Sequence, residues 1–166
     1  ASELPKYYTP LIAGDDGTMY SASLPGSQNA RKLGRALVAR AMLRLQQGQD
    51  REAWNDLLAT VRLARLVSHR PTVLEGLVGI GTESIAHVGI KQYLQHAELT
   101  AEQANADHKA LLALQPAGSM YEKFKFERLG ALDVTVHMAR GTPGAESWLD
   151  PGPALLNQEL HIPAFF

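Results

Sequence analysis

Residues 33–54 read LGRALVARAMLRLQQGQDREAW, and the spacing of apolar residues in this stretch decides the fold. An apolar side chain recurs at every fourth position of its first half: Leu33, Leu37, Ala41 and Leu45. This period predicts an amphipathic α-helix from about residue 27 to residue 47. Gly48 then supplies a turn, and Asp50 is the predicted N-cap of a second helix that ends near residue 69. Because the connection is so short, we expect the two helices to lie antiparallel.

Three capping boxes predict where three further helices begin. Each pairs a Ser or Thr with a Glu or Gln three residues later: Thr72 with Glu75, Thr100 with Gln103, and Ser119 with Glu122. The three helices are predicted to end near residues 95, 115 and 140. The sequence therefore predicts an all-α fold with about five helices, arranged as antiparallel hairpins.

The helical-hairpin domain is predicted to occupy residues 27–141. Three prolines and the Gly14-Asp15-Asp16-Gly17 turn signal in residues 1–26 predict an extended N-terminal arm, with one small hairpin around the turn. Residues 142–166 are rich in Pro and Gly and end on apolar residues, which predicts a C-terminal strap packed on the domain. The chain starts at Ala1 rather than Met, which is compatible with an upstream segment.

Composition excludes several classes of function. The chain has 166 residues and no cysteine, so it has no disulfide framework, thiolate zinc site or cysteine nucleophile. Its longest apolar stretch, residues 80–90, is interrupted by Glu83 and His87, so we expect no membrane-spanning segment. No cofactor motif is present, because Gly79-Ile80-Gly81 follows a helix and lacks the lysine of a phosphate-binding loop.

The charge is distributed unevenly along the chain. Residues 28–70 contain nine Lys or Arg against three Asp or Glu, whereas residues 71–166 contain six against eleven. A basic face for nucleic acid or another anion would use five residues: Arg31, Lys32, Arg35, Arg62 and Arg65. We predict no nucleic-acid partner, because the basic stretch has Trp54 as its single aromatic residue and the net charge is −1.

The first hairpin has small residues at Ala41, Gly48 and Ala53 and large apolar residues at Leu37 and Leu57. In this spacing the hairpin resembles the tetratricopeptide repeat. The sequence departs from the repeat pattern at three positions. Arg40 stands where the repeat has leucine, Arg44 where it has an aromatic residue, and Thr60 where it has alanine. No second copy is clear at a period of about 34 residues, so the array is degenerate or only repeat-like.

A longer pattern includes residues 36–45, Gly48, Glu52-Ala53-Trp54, Asp56-Leu57-Leu58, residues 63–66 and residues 71–75. With this pattern, residues 30–100 resemble uncharacterised bacterial helical-repeat proteins. The resemblance implies a helical-hairpin fold and an exported or periplasmic location. It implies no activity, cofactor or catalytic residue.

The third predicted helix contains glycines at positions 76, 79, 81 and 89, and each costs about 1 kcal/mol relative to alanine in a helix. The simplest explanation is that neighbouring helices approach closely there. The alternative is that bare backbone lines a groove for a partner. That hypothesis gives five candidate binding residues: Gly76, Gly79, Gly81, Arg40 and Arg44.

Two acid–histidine pairs offer a possible enzyme or metal site. Glu83 with His87 and Asp133 with His137 are each four residues apart, so each pair shares one helix face. If the two faces met, they could bind a divalent metal or act as a general acid and base. The same Glu83 lies in an apolar helix and needs a partner if buried, for which Arg40 or Arg44 is the predicted candidate.

We therefore expect a non-catalytic module that binds another protein or a neighbouring domain, used as a scaffold. The hypothesis predicts an exposed apolar or glycine-lined patch that is large for a monomer. The alternative is a metal-binding or acid–base bundle enzyme that uses the two acid–histidine pairs.

Overall fold

The structure is a computed structural model, and it describes residues 12, 17–19 and 21–142. Five α-helices occupy this part of the chain: α1 Pro25–Gln46, α2 Asp50–Ser68, α3 Val73–His96, α4 Ala101–Leu112 and α5 Met120–Ala139. No strand is present in it, and Ile12 and Ser23 form an isolated antiparallel bridge. The all-α prediction is confirmed. Except for Thr142, the predicted C-terminal strap lies outside the described residues, as does most of the N-terminal arm.

The chain divides into two compact units, and the larger contains most of the helices. Its described residues, Leu24–Glu127, hold α1 to α4 and the first part of α5. The described residues of the second unit are 12, 17–19, 21–23 and 128–142, including the rest of α5. Within the second unit, the Met19 amide donates a hydrogen bond to the Asp133 carboxylate at 2.9 Å.

The core of the larger unit forms where α1, α2 and α3 pack together. Six buried residues make up its centre: Ala41, Ala53, Trp54, Leu57, Leu58 and Tyr93. The rings of Trp54 and Tyr93 lie 5.3 Å apart, centre to centre, at an angle of 31°. Their apolar area and ring contact favour this packing. Side chains from α4 and the residues after it, including Ala110, Leu111 and Leu114, pack against the same cluster.

In the turn between α1 and α2, the glycine lies where the sequence predicts it, but the N-cap residue of α2 differs from the predicted one. Gly48 adopts a φ of +72°, which glycine adopts without steric cost. The predicted N-cap Asp50 is wrong: α2 begins at Asp50, and Gln49 occupies the cap position without a side-chain hydrogen bond. The reason is that the Asp50 carboxylate accepts a hydrogen bond from the Glu98 amide at 3.2 Å.

The predicted capping box is complete at the start of α4 and incomplete at the start of α3. The capping box of α4 is complete, because Thr100 accepts from the Gln103 amide and Gln103 accepts from the Thr100 amide. At α3, Thr72 accepts from the Glu75 amide at 3.1 Å, but the Glu75 carboxylate bonds the Thr72 hydroxyl instead of its amide. Glu75 is therefore available for the buried ion pair described below.

Candidate functional site

Helix α3 carries its small residues inward. Gly76, Gly79, Ala86 and Gly89 are buried, together with Glu75, Thr82 and Tyr93. A Cβ on Gly79 would lie 2.8 Å from the Ala64 carbonyl oxygen, and a Cβ on Gly89 would lie 2.6 Å from Leu57. On the α1 side, a Cβ on Gly34 would meet Thr82 at 2.6 Å. Close helix packing therefore explains the inward glycines, as the simplest interpretation predicted.

The opposite side of α3 carries large apolar residues in solvent. Leu74, Leu77, Ile80, Val88 and Leu94 are each about half exposed or more, with Val88 at 65%. We define the outer face of α3 by the nine exposed residues from Leu74 to Leu94: Leu74, Leu77, Ile80, Gly81, Ser84, His87, Val88, Lys91 and Leu94. The usual arrangement, large apolar residues inside and polar ones outside, is reversed in this helix. Five large apolar side chains thus lie in solvent along one side of a single helix.

The predicted binding glycines are divided by this arrangement. A Cβ on Gly76 would lie 2.6 Å from the Lys123 side chain, so α5 packs over this position. Gly79 lies against the C-terminal end of α2. Gly81 has open space at its Cβ position and belongs to the outer face. Of the three glycines, Gly81 is therefore the one that a partner could reach.

Glu83 binds an arginine, but not one of those predicted. Its Oε1 accepts hydrogen bonds from Arg65 at 3.1 and 3.2 Å, and His87 lies 3.9 Å away on the same helix. The predicted partners Arg40 and Arg44 are wrong, because both reach a different acid on α2. Arg65 also donates to the carbonyls of Leu114 and Gln115, so it links α2 to the segment after α4.

Asp56 is the acid that Arg40 and Arg44 share. Arg40 donates two hydrogen bonds to it, at 2.8 and 2.6 Å, and Arg44 donates a third at 2.7 Å. The hydrogen bond and charge of Asp56 raise the pKa of Arg40. Asp56 is buried, so the pair of arginines supplies the charge that its burial requires. This contact gives the arginines at positions 40 and 44 a structural role.

A buried ionic cluster fixes the N-terminal end of α3. The Glu75 carboxylate, fully buried, accepts from Arg70 at 2.7 Å and from Ser27 at 3.4 Å. Lys123 of α5 is also buried and donates to the carbonyl oxygens of Ser68 and Arg70. Burial lowers the pKa of Lys123, and the charge of Glu75 opposes that shift. These polar groups are partnered within the protein, so the cluster is structural.

A second buried contact fixes the C-terminal end of α3. The Tyr93 hydroxyl donates to Asp107 of α4 at 2.9 Å, and Arg51 of α2 pairs with the same carboxylate at 2.7 Å. Burial raises the pKa of the Tyr93 phenol, and the hydrogen bond and charge of Asp107 add to the shift. The outer face of α3 is therefore presented by a helix that is anchored at both ends.

The second unit contains the other acid–histidine pair. Asp133 and His137 lie 3.7 Å apart, and the Asp133 carboxylate also accepts the Met19 amide. The buried Nδ1 of His137 has no hydrogen-bond partner within the described part of the chain. No group of three or more His, Asp or Glu side chains arranged to hold a metal occurs among the described residues. The metal and acid–base hypothesis stays a prediction.

An open depression of about 350 Å³ lies where α1 and α3 end. It is lined by Met42, Leu45, Gln46, Gln92 and His96. Its polar groups are two amides and one imidazole, and the His96 Nδ1 is already paired with the Gln92 carbonyl at 2.9 Å. No charged side chain lines this depression, so it offers no obvious chemistry.

No protein-family model, curated protein or solved structure matches this chain. The fold and the contacts above therefore carry the functional argument. In the described part of the chain, α3 alone has the length and mean hydropathy, 1.2, of a helix that could cross a membrane. A helix packed in the core of a protein can meet the same test, so the prediction of no membrane-spanning segment stays a prediction.

Proposed function

We propose that this chain is a non-catalytic interaction module that binds an α-helix of a protein partner along the outer face of α3. The observation that carries the proposal is the reversed polarity of α3: small residues pack inward while five large apolar side chains remain in solvent. Each of the five side chains is about half exposed or more, and together they extend along about 30 Å of the helix.

The composition of the outer face determines the chemistry of the partner. It contains no acidic residue, and Lys91 is its single formal charge, near the C-terminal end. A partner helix that complements it presents an apolar stripe about five turns long, with an acidic group level with Lys91. Recognition between two apolar helix faces is driven by apolar burial and adjusted by few charges.

The anchoring of α3 supports the same proposal. The Arg70–Glu75 pair lies at one end, and the contact between Tyr93 and Asp107 lies at the other. A helix held in this way keeps its apolar side chains in place before a partner arrives, which reduces the entropy lost on binding.

We further propose that this chain is related to tetratricopeptide-like bacterial proteins. Ala41 and Ala53, the predicted small residues of the α1–α2 crossing, are fully buried, and Gly48 forms the turn between the helices. These features support a degenerate repeat hairpin used as a scaffold. A protein partner or a neighbouring domain, rather than nucleic acid, is the proposed ligand. Arg65, one of the five basic candidates, is already bound to Glu83.

A cross-linking experiment tests the proposal in cells that make the protein. A photo-reactive residue replaces His87, at the edge of the outer face, and in a control it replaces Leu43, an α1 leucine 54% exposed. We expect a discrete adduct from position 87 alone, whose joined peptides are identified by mass spectrometry and which weakens with Ile80→Ser. Equal adducts from both positions, or an adduct indifferent to Ile80→Ser, would contradict the proposal.

A further inference from the structure

We infer that the occupant of the outer face of α3 is the same face of a second copy of this chain, packed antiparallel across a two-fold axis. The inference rests on the proposed function and identifies its partner. In a two-fold interface the same surface serves both copies, so the face must be complementary to itself. The shape of the face and the charges near its two ends satisfy that requirement, and its size sets the expected strength of association.

The first property is shape. Gly81 and Ser84 form a narrow waist in the middle of the face, and a Cβ at Gly81 would point into open space. Larger exposed side chains flank the waist on both sides, Leu77 and Ile80 before it and Val88 after it. Two antiparallel copies that cross at the waist approach closely there, and Leu77 of each copy comes level with Val88 of the other.

The second property is charge. Lys91 lies toward the C-terminal end of the face, and the Glu127 carboxylate lies at the N-terminal end of α3, where it accepts the Val73 amide at 2.9 Å. An antiparallel arrangement brings Lys91 of one copy toward the end of α3 in the other copy where Glu127 lies. A parallel arrangement would place the two Lys91 side chains together, and like charges at an interface disfavour that register.

The third property is size. From Leu74 to Leu94 the face extends about 30 Å, which supports a small interface, below the standard size of about 1,600 Å² in total. We therefore expect reversible dimerisation with a dissociation constant on the order of micromolar. Leu77→Ser should weaken the dimer by roughly 100-fold, because each dimer loses two leucines. Leu43→Ser, at a leucine of equal exposure on α1, should leave it unchanged.

Two measurements on the purified chain test the inference. Sedimentation equilibrium across the micromolar range measures association of the wild-type chain, Leu77→Ser and Leu43→Ser. Because the chain has no cysteine, Leu77→Cys and Val88→Cys each introduce a single thiol. When the two variants are mixed and oxidised, antiparallel packing predicts that the mixed disulfide forms faster than either symmetric one.

The outcomes separate the inference from the proposed function. Dimers that dissociate with Leu77→Ser and favour the mixed disulfide support the inference. A preference for symmetric disulfides would overturn the antiparallel arrangement. A chain that stays monomeric at all concentrations overturns self-association; the proposed function then stands if position 87 cross-links to another protein. If the chain is instead a monomer that binds vesicles of anionic lipid, and Leu77→Ser abolishes this binding, both the inference and the proposed function are overturned. The outer face of α3 would then bind a membrane surface.

Discussion

Replacing two glycines of α3 by alanine should change stability in opposite directions. Gly79 and Gly81 both lie in the interior of α3, so the intrinsic helix preference gained by alanine is the same at both, about 1 kcal/mol. Their surroundings differ. A Cβ at position 81 meets open space, whereas a Cβ at position 79 meets the Ala64 carbonyl oxygen, the Ser68 Cβ and the Ser68 amide nitrogen at 2.8 to 2.9 Å.

The contacts around Gly79 determine the size of the expected loss. Two of the three atoms belong to the α2 backbone, so they cannot move aside as a flexible side chain would. Overpacking costs about 1–3 kcal/mol, and rigid contacts fall in the upper half of that range. After the gain in helix preference is subtracted, we expect Gly79→Ala to lower the free energy of unfolding by about 1–2 kcal/mol. Gly81→Ala should raise it by about 1 kcal/mol.

Urea unfolding followed by circular dichroism measures both changes on one scale. The midpoints should move in opposite directions at similar m-values, and the melting temperature of Gly81→Ala should rise by about 2–4 °C. Measurements at submicromolar concentration exclude any contribution from association. If Gly79→Ala stabilised the protein as much as Gly81→Ala, the close approach of α3 to α2 would be refuted, and with it the orientation of the outer face.

Three further changes test the contacts that hold α3 and the first hairpin. Asp56→Asn should lower the free energy of unfolding, measured in urea, by about 1–2 kcal/mol, because a buried acceptor of three charged hydrogen bonds loses its charge. Asn55→Asp, the control at an exposed neighbouring residue, should change the free energy of unfolding little. Lys123→Met should lower the thermal midpoint, because the carbonyls of Ser68 and Arg70 lose their donor; an unchanged midpoint would show that the ammonium is not buried there. Tyr93→Phe should reduce the fall in the free energy of unfolding that we expect for the wild-type protein at alkaline pH. The raised pKa of Tyr93 keeps it protonated in the folded state, while the unfolded phenol ionises near its ordinary value of 10.0, so wild-type stability falls as pH rises through 10. Denaturation midpoints measured from pH 8 to 11 that fall equally in both proteins would contradict this assignment.

The helices could be predicted from sequence because their signals are local. Apolar spacing and capping residues place each helix within a few residues of its observed ends, as the complete box at Thr100 and Gln103 shows. The signal failed at Asp50, where a good capping residue is used by the Glu98 amide instead. That choice depends on a contact between distant segments, which local spacing does not contain.

The ion pairs could not be predicted because they depend on how the helices rotate against each other. Glu83 was expected to bind Arg40 or Arg44, yet α2 turns Arg65 toward it and Asp56 toward α1. The sequence did contain a signal for Asp56, which is an acid within an apolar stripe. It also contained a signal for the outer face of α3. In α3 the glycines at 76, 79 and 89 lie on one side and the large apolar residues lie on the other, and the mean hydropathy of the helix does not show this division.

The most direct test of the central claim is hydroxyl-radical footprinting of the protein in its own cells, compared with the purified chain at high dilution. The modification rates of Leu77 and Ile80 report whether the outer face of α3 is covered, and Leu43, of matching exposure on α1, is the internal control. We predict that Leu77 and Ile80 are modified several times more slowly in cells, while Leu43 is modified at the same rate in both. Equal rates for all three residues in cells and at dilution would contradict the claim that this face binds a protein.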